Sequence, residues 1–166
     1  MDANAKTNIL LAVDLAPGEP AWLVDGAVDT ARDLVRDRRD LVVVLHVREF
    51  SVARLAAMMR EHGGADGRHA VDEIVARLHA AGVRAGGLIR EADEGHVSGT
   101  ILDVAREFNS RVVVLGSPRH RVPLGSVARR LVRQADVPVV IAARTGARLD
   151  DETWVAPRHQ PVLTRA

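Results

Sequence analysis

Residues 111–143, RVVVLGSPRHRVPLGSVARRLVRQADVPVVIAA, contain the unit from which the rest of the chain can be read. Val112 to Leu115 is a continuous apolar run, short and β-branched, of the kind that forms a strand covered on both faces. Gly116 closes it, and the polar stretch GSPRHRVPLGS follows. From Ser126 the pattern changes period: Val127, Leu131 and Ala135 mark one helical face, and Arg129, Arg130 and Arg133 occupy the other. Ser126 stands where such a helix would be capped. Val137 to Ala143 is then a second strand, with Pro138 at its start, where a missing N–H does least harm. A strand, a crossover helix and a strand predict two parallel strands joined in the right-handed sense.

Working outward, the same alternation recurs. Ile9 to Val13 and Leu41 to Val47 are further buried-strand runs, and Val83 to Arg90 is a weaker one that carries Gly86 and Gly87. Helical stripes lie between them at Val24, Val28, Ala31 and Val35, at Val71, Ile74, Val75 and Leu78, and at Ile101, Val104, Ala105 and Phe108. The order βαβαβαβαβ predicts an α/β domain with a parallel sheet and helices on both faces. Gly82 falls where a helix would stop. The run GGADG at 63–67 breaks the second crossover, separating a helix around Ser51 to Glu61 from one beginning near Arg68. After residue 144 no period is sustained, so 1–144 is expected to be the domain and 145–166 an extension, partly ordered or flexible and docked through Trp154 and Val155.

Composition narrows the function classes. A chain of 166 residues, 47% of them hydrophobic, suits one domain with a sizeable core. Lys and Arg number 23 against 22 Asp and Glu, so no global field draws nucleic acid or an anionic membrane. Aromatic side chains make up 2% of residues, too few to form a stacking platform for single strands. With no cysteine there is neither a disulfide framework nor a thiolate metal site. Met1 to Asn8 lacks the apolar stretch of a secretion signal and no apolar run has the length of a membrane span, so a cytoplasmic location is expected, with neither membrane nor nucleic acid as partner.

The chemistry-bearing residues concentrate at strand ends. Asp14 closes the first strand and Gly116 the fourth, and in an open parallel sheet ligands bind beyond the carboxyl ends where strand order reverses. If these strands are neighbours, the two residues share a crevice. Gly125, Ser126 and the amides after them, beginning with Val127, would present a helix N-terminus to an anion, with Arg119, His120 and Arg121 adding positive charge. The same features also describe an ordinary basic connector, and Asp14 could equally close a turn with Pro17 and Gly18. His46 reads as a strand-end histidine held by hydrogen bonds. The other histidines lack metal-site spacing, and GxGxxG, GxxxxGK[ST] and GxSxG are all missing.

The segments NILLAVD, LVVVLHV and RVVVLGSPRHRVPLGSVARRLVRQADVPVVIAA, in that order, resemble the universal stress protein domain over about residues 7–144. The resemblance implies a three-layer, doubly wound sheet of five parallel strands in the order 3-2-1-4-5, of the adenine nucleotide alpha hydrolase-like type. It also implies a homodimer paired through the last strand, here Val137 to Ala143. Some members bind ATP and others do not. In those that do, residues matching Asp14, Val47 and Leu115 surround the adenine, and Gly-x-x-Gly, nine residues, then Gly-Ser/Thr cradles ribose and phosphates. This chain departs from that pattern: Gly116 matches the first glycine, Arg119 replaces the second, and only His120 to Leu124 precede Gly125 and Ser126.

Two expectations therefore stay open. One is a stress-response regulator binding ATP or another adenine nucleotide, with Mg²⁺ only as the nucleotide's companion and Arg119 supplying phosphate contacts. The other is a dimeric interaction module with a degenerate site and an unknown protein partner. A slow ATPase is less favoured, because no general base or metal-binding pair is visible beside the loop.

Overall fold

The computed structural model describes residues 7–15, 21–50, 67–116, 125–142 and 154–155. Its strands are β1 (Asn8–Val13), β2 (Val42–Phe50), β3 (Ala85–Asp93), β4 (Ser110–Gly116), β5 (Val139–Ile141) and β6 (Trp154–Val155). The helices are α1 (Asp25–Asp33), preceded by a 3-10 turn at Ala21–Val24, then α2 (Arg68–Ala80), α3 (Val97–Glu107) and α4 (Ser126–Gln134). The sheet order is β3-β2-β1-β4-β5-β6, parallel throughout except at β6. The five parallel strands stand in the expected order, 3-2-1-4-5.

The apolar runs are continuous because alternate residues of each strand enter different cores. On one face Ile9, Leu11, Val13, Val42, Val44, Val112 and Val114 pack with Ala27, Val28 and Ala31 of α1 and with Val71, Ile74 and Leu78 of α2. On the other, Leu10, Ala12, Val43, Leu45, Val113 and Leu115 pack with Ile101, Leu102, Val104 and Ala105 of α3 and with Ala128 and Leu131 of α4. Each Val, Leu or Ile among them, when fully buried, contributes roughly 1.5–3 kcal/mol over its exposed state.

Gly82 does end α2. With φ of +77°, it passes its N–H to the His79 carbonyl, while the Val83 N–H goes to Leu78. This double closure draws Val83 into the helix stop, so β3 begins at Ala85, later than the apolar pattern suggests. At the start of α4, the cap position belongs to Gly125, extended at φ −61° and ψ 163°, whose carbonyl accepts the Arg129 N–H. Ser126 is the first helical residue rather than the cap.

Other strand bounds also differ from the apolar runs. β2 continues past Val47 through Arg48, Glu49 and Phe50 because β3 pairs with it as far as Phe50 and Asp93. β5 is three residues long, not the whole of Val137 to Ala143. Trp154 and Val155 form a sixth strand, antiparallel to β5, with Val155 opposite Val140 and Trp154 opposite Ile141. The outer edge assigned to a dimer partner is thus paired within the chain at these two positions. The expected helix around Ser51 to Glu61, the first four residues of the GGADG run, Arg119 with His120 and Arg121, and the rest of the extension lie outside the described residues. No described helix is long and apolar enough to cross a membrane.

Candidate functional site at the carboxyl end of the sheet

β1 has β2 on one side and β4 on the other, and Val13 lies in register with both His46 and Gly116. The chain therefore winds one way from β1 to β2 and β3, and the other way through β4 and β5. The reversal between β1 and β4 is the position at which open α/β sheets leave a crevice. Asp14 follows directly: its N–H donates to the Gly116 carbonyl at 2.9 Å, continuing the ladder one residue beyond β1. Asp14 and Gly116, nominated separately from the sequence, are adjacent.

The face of this crevice follows from strand alternation. Leu10 and Ala12 point to the side covered by α3 and α4, and the alternation carries Asp14 to the same side. Leu115, 5% exposed, belongs to that apolar cluster, and the half-buried Val47 and Val127 pack against it. Four of the nominated residues therefore converge on one face. The arrangement is an apolar floor with an exposed carboxylate at its rim and the first turn of α4 beside it. The opening N–H groups of a helix have no intrahelical acceptor, which makes that turn a donor surface.

Gly116 occupies its position for another reason. A Cβ on it would lie 2.6 Å from the Ala27 Cβ and 3.5 Å from the Val24 Cβ, so its bareness lets α1 lie close to β4. That contact is on the face away from Leu115. Gly116 thus has a packing cause beside the ligand role expected of it. Gly125, by contrast, has open space where its Cβ would be. Arg119 lies outside the described residues.

His46, 7% exposed, places Nδ1 3.2 Å from the Val13 carbonyl, which accepts if Nδ1 carries the proton. Its ring also lies against Gly67 at the start of α2. It is a strand-end histidine that ties the end of β1 to β2.

Two features of the site escape sequence reasoning. β1 accompanies β2 only as far as His46, whereas β3 accompanies it to Phe50. Among the described residues, the backbone of β2 from Val47 onward consequently has no strand on its β1 side, and this edge borders the crevice beside Asp14. The second is a clamp on the turn between β3 and α3. The Gly95 N–H donates to Glu49 Oε1 at 2.6 Å, and its carbonyl accepts from Arg130 Nη1 at 2.5 Å. The end of β2 and the first turns of α4 are thereby joined through the backbone of one residue, Gly95. Arg48 with Glu91, at 2.7 Å, links β2 and β3 near the same end. Among the described residues, no group of three or more His, Asp or Glu is placed to hold a metal ion.

A parallel sheet wound in both directions from β1, with its polar groups gathered at the carboxyl end of the reversal, defines a doubly wound α/β domain. Residues 6–143 match the sequence profile of the Universal stress protein family, and the chain belongs to that family. A universal stress protein family member from Burkholderia pseudomallei is 27% identical, with a TM-score of 0.58 over 82% of this chain and 95% of that one. An Arabidopsis thaliana family member solved with AMP bound is 18% identical, with a TM-score of 0.59 over 89% and 97%. The universal stress protein of Archaeoglobus fulgidus in complex with dAMP is also 18% identical, with a TM-score of 0.57 over 82% and 97%. At their identities the last two show likeness of fold. No curated protein sequence matches this chain closely.

Proposed function

We propose that the crevice between β1 and β4 binds an adenine nucleotide, as part of a stress-response regulator. The observation that carries this reading is the placement of Asp14 beside the open backbone edge of β2, above the apolar floor of Val47 and Leu115. A purine is a flat apolar body with donors and acceptors around its rim. The floor suits its face and the strand edge its rim, while Asp14 can accept hydrogen bonds from a ribose or an exocyclic amine. The AMP and dAMP complexes of the two structural neighbours support the choice of adenine.

The phosphates would run toward Gly125, Ser126 and Val127, where the α4 amides favour an anion. Arg119 stands, in sequence, where the family pattern has its second glycine, and a guanidinium there offers a planar fork for phosphate oxygens. Because five residues separate Arg119 from Gly125 where the family pattern has nine, fewer phosphates are held than in the full pattern, and Mg²⁺ enters only with them.

Calorimetric titration with AMP, ADP and ATP, with and without Mg²⁺, tests the reading. Micromolar binding is expected for at least one nucleotide, with Asp14→Ala raising Kd tenfold or more, about 1.4 kcal/mol, and Arg119→Ala weakening the phosphate-bearing ligands. No heat up to millimolar nucleotide overturns it. That result selects the second reading, an interaction module with a degenerate site, which the shortened loop favours.

A further inference from the structure

The inner face of α3 is apolar except at one position. Ile101, Leu102 and Ala105 pack into the core, and Ser98, on the same face one turn earlier, is 4% exposed. A helical serine can return its hydroxyl to a backbone carbonyl three or four residues back. Here both of those carbonyls face other groups: Gly95 accepts from Arg130 Nη1, and Glu94 stands 3.2 Å from His96 Nδ1. Thr100, two residues on, does make the return bond, to the His96 carbonyl at 3.4 Å. The Ser98 hydroxyl has no hydrogen-bond partner among the described residues. A buried hydroxyl left in this state calls for a cause.

Its place in the fold supplies one. The Gly95 N–H is held by Glu49, which lies two residues beyond Val47 on the same face of β2. As a crossover helix, α3 runs back antiparallel to the strands. Ser98 is roughly 4.5 Å along that direction from Gly95, and Val47 is roughly 6.6 Å back from Glu49. Ser98 therefore stands about level with Val47, the residue at the floor of the crevice. The Cα–Cβ bond of a helical residue tilts toward the helix N-terminus, which turns the hydroxyl toward the carboxyl end of the sheet, where Asp14 lies. The opening N–H groups of α3, which lack intrahelical acceptors, are at the same end. Hydroxyl and amides together favour an electron-rich partner.

We propose that Ser98 is a ligand-binding residue whose hydroxyl donates to a ring nitrogen of the purine, from the α3 side of the crevice. The role rests on the nucleotide reading above, and it adds a side chain from a helix that neither the strand ends nor the loop pattern points to. The phosphates run the other way, toward α4, so the contact falls on the part that adenosine, AMP and ATP share.

Calorimetry of the parent and of Ser98→Ala with adenosine, AMP and ATP, alongside thermal unfolding of both chains, tests it. Alanine suits the helix and removes only the hydroxyl. The variant is expected to bind each ligand that the parent binds about fivefold more weakly, by one common factor, on the scale of a single neutral hydrogen bond. It should unfold at no lower temperature than the parent, because an unpartnered buried hydroxyl adds nothing to the fold. Parental Kd values in the variant overturn the role and leave the nucleotide reading standing, the hydroxyl then being solvated. Weakening that grows with the number of phosphates assigns Ser98 to the other end of the ligand and also overturns it, as does a variant that unfolds at lower temperature, which makes Ser98 a structural residue. A parent chain that binds none of the three overturns the nucleotide reading itself, and the role of Ser98 with it.

Discussion

At the amino end of the sheet, Asp40 is 5% exposed, and its Oδ2 accepts from the Arg36 N–H at 2.8 Å, the Asp37 N–H at 3.3 Å and Arg111 Nη2 at 3.2 Å. At the carboxyl end, Asp14 is an exposed carboxylate at the mouth of a crevice. The amino end is closed by its own side chains: Arg111 also donates to the Leu34 carbonyl, Asn8 Nδ2 to the Phe108 carbonyl at 2.6 Å, and Arg84 to the Arg39 carbonyl at 3.1 Å. The carboxyl end spends its charge on exposed pairs and on one clamped turn. In one sheet, then, a buried carboxylate held by two backbone amides and a guanidinium stands at one end, and an exposed carboxylate at the strand reversal stands at the other.

The largest effect that this contrast predicts is at Asp40. Removing it leaves the mostly buried Arg111 without its carboxylate and two backbone amides without an acceptor. Asp40→Ala should cost about 3 kcal/mol in urea unfolding, with nucleotide affinity little changed in the folded protein. Loss of affinity with stability intact would break the division between the two ends. Acid titration sharpens it. Burial pushes the Asp40 carboxyl up, but hydrogen bonds from the Arg36 amide, Arg111 and the Asp37 amide outweigh that and hold it below its ordinary value. The unfolded chain thus takes up this proton at a higher pH than the folded one. The stabilisation is complete above the unfolded pKa, about 3.9, and is lost as pH falls through the lower folded value. Stability curves of the parent and Asp40→Asn should accordingly converge in acid.

The next effect separates two glycines of one loop motif. Gly116→Ala places a methyl 2.6 Å from the Ala27 Cβ, and relief requires α1 to move away from β4. Overpacking of this kind costs about 1–3 kcal/mol. Gly125→Ala meets open space in an extended conformation that any residue adopts, so it should cost under about 1 kcal/mol, the cap preference of Gly over Ala. Thermal unfolding of the two variants measures the difference. Equal costs would mean that Gly116 is not a packing glycine.

What could be read from the sequence follows the same division. Strands buried on both faces announce themselves, since every position must be apolar, and β1, β2 and β4 are visible for that reason. Asp14 and Val127 were legible because a strand end and a helix start are marked by changes of period; Val47 and Leu115 entered only through the family resemblance, and the topology brings the four to one face. The extension of β2 was not visible, because Arg48, Glu49 and Phe50 are half-buried or exposed and carry no apolar signal. β6 was not visible as a strand because its pairing uses backbone groups that every residue has. The Glu49–Gly95–Arg130 clamp joins residues 46 and 35 positions apart through the backbone of Gly95, and no side-chain pattern encodes that. The packing role of Gly116 against Ala27 was not visible, since a glycine that admits a helix and one that admits a ligand look the same in sequence.

The smallest effect is the one that tests whether the carboxyl end works as a unit. Arg130 sits one turn into α4, and its bond to the Gly95 carbonyl ties that helix to the turn that Glu49 holds from the other side. Since Arg130 is exposed, the bond is worth little to the fold, and Arg130→Ala should lower stability by well under about 1 kcal/mol. Its consequence should fall on α4, whose first amides would face the phosphates. Calorimetry with AMP should therefore show a Kd a little over twofold weaker, about 0.5 kcal/mol, while adenosine, which never reaches α4, should bind as before. If AMP and adenosine weaken equally, Arg130 acts on the whole crevice and the base and phosphate ends are not separable. If neither changes, the clamp secures only the turn, and α4 is held in place by Ala128 and Leu131 in the core.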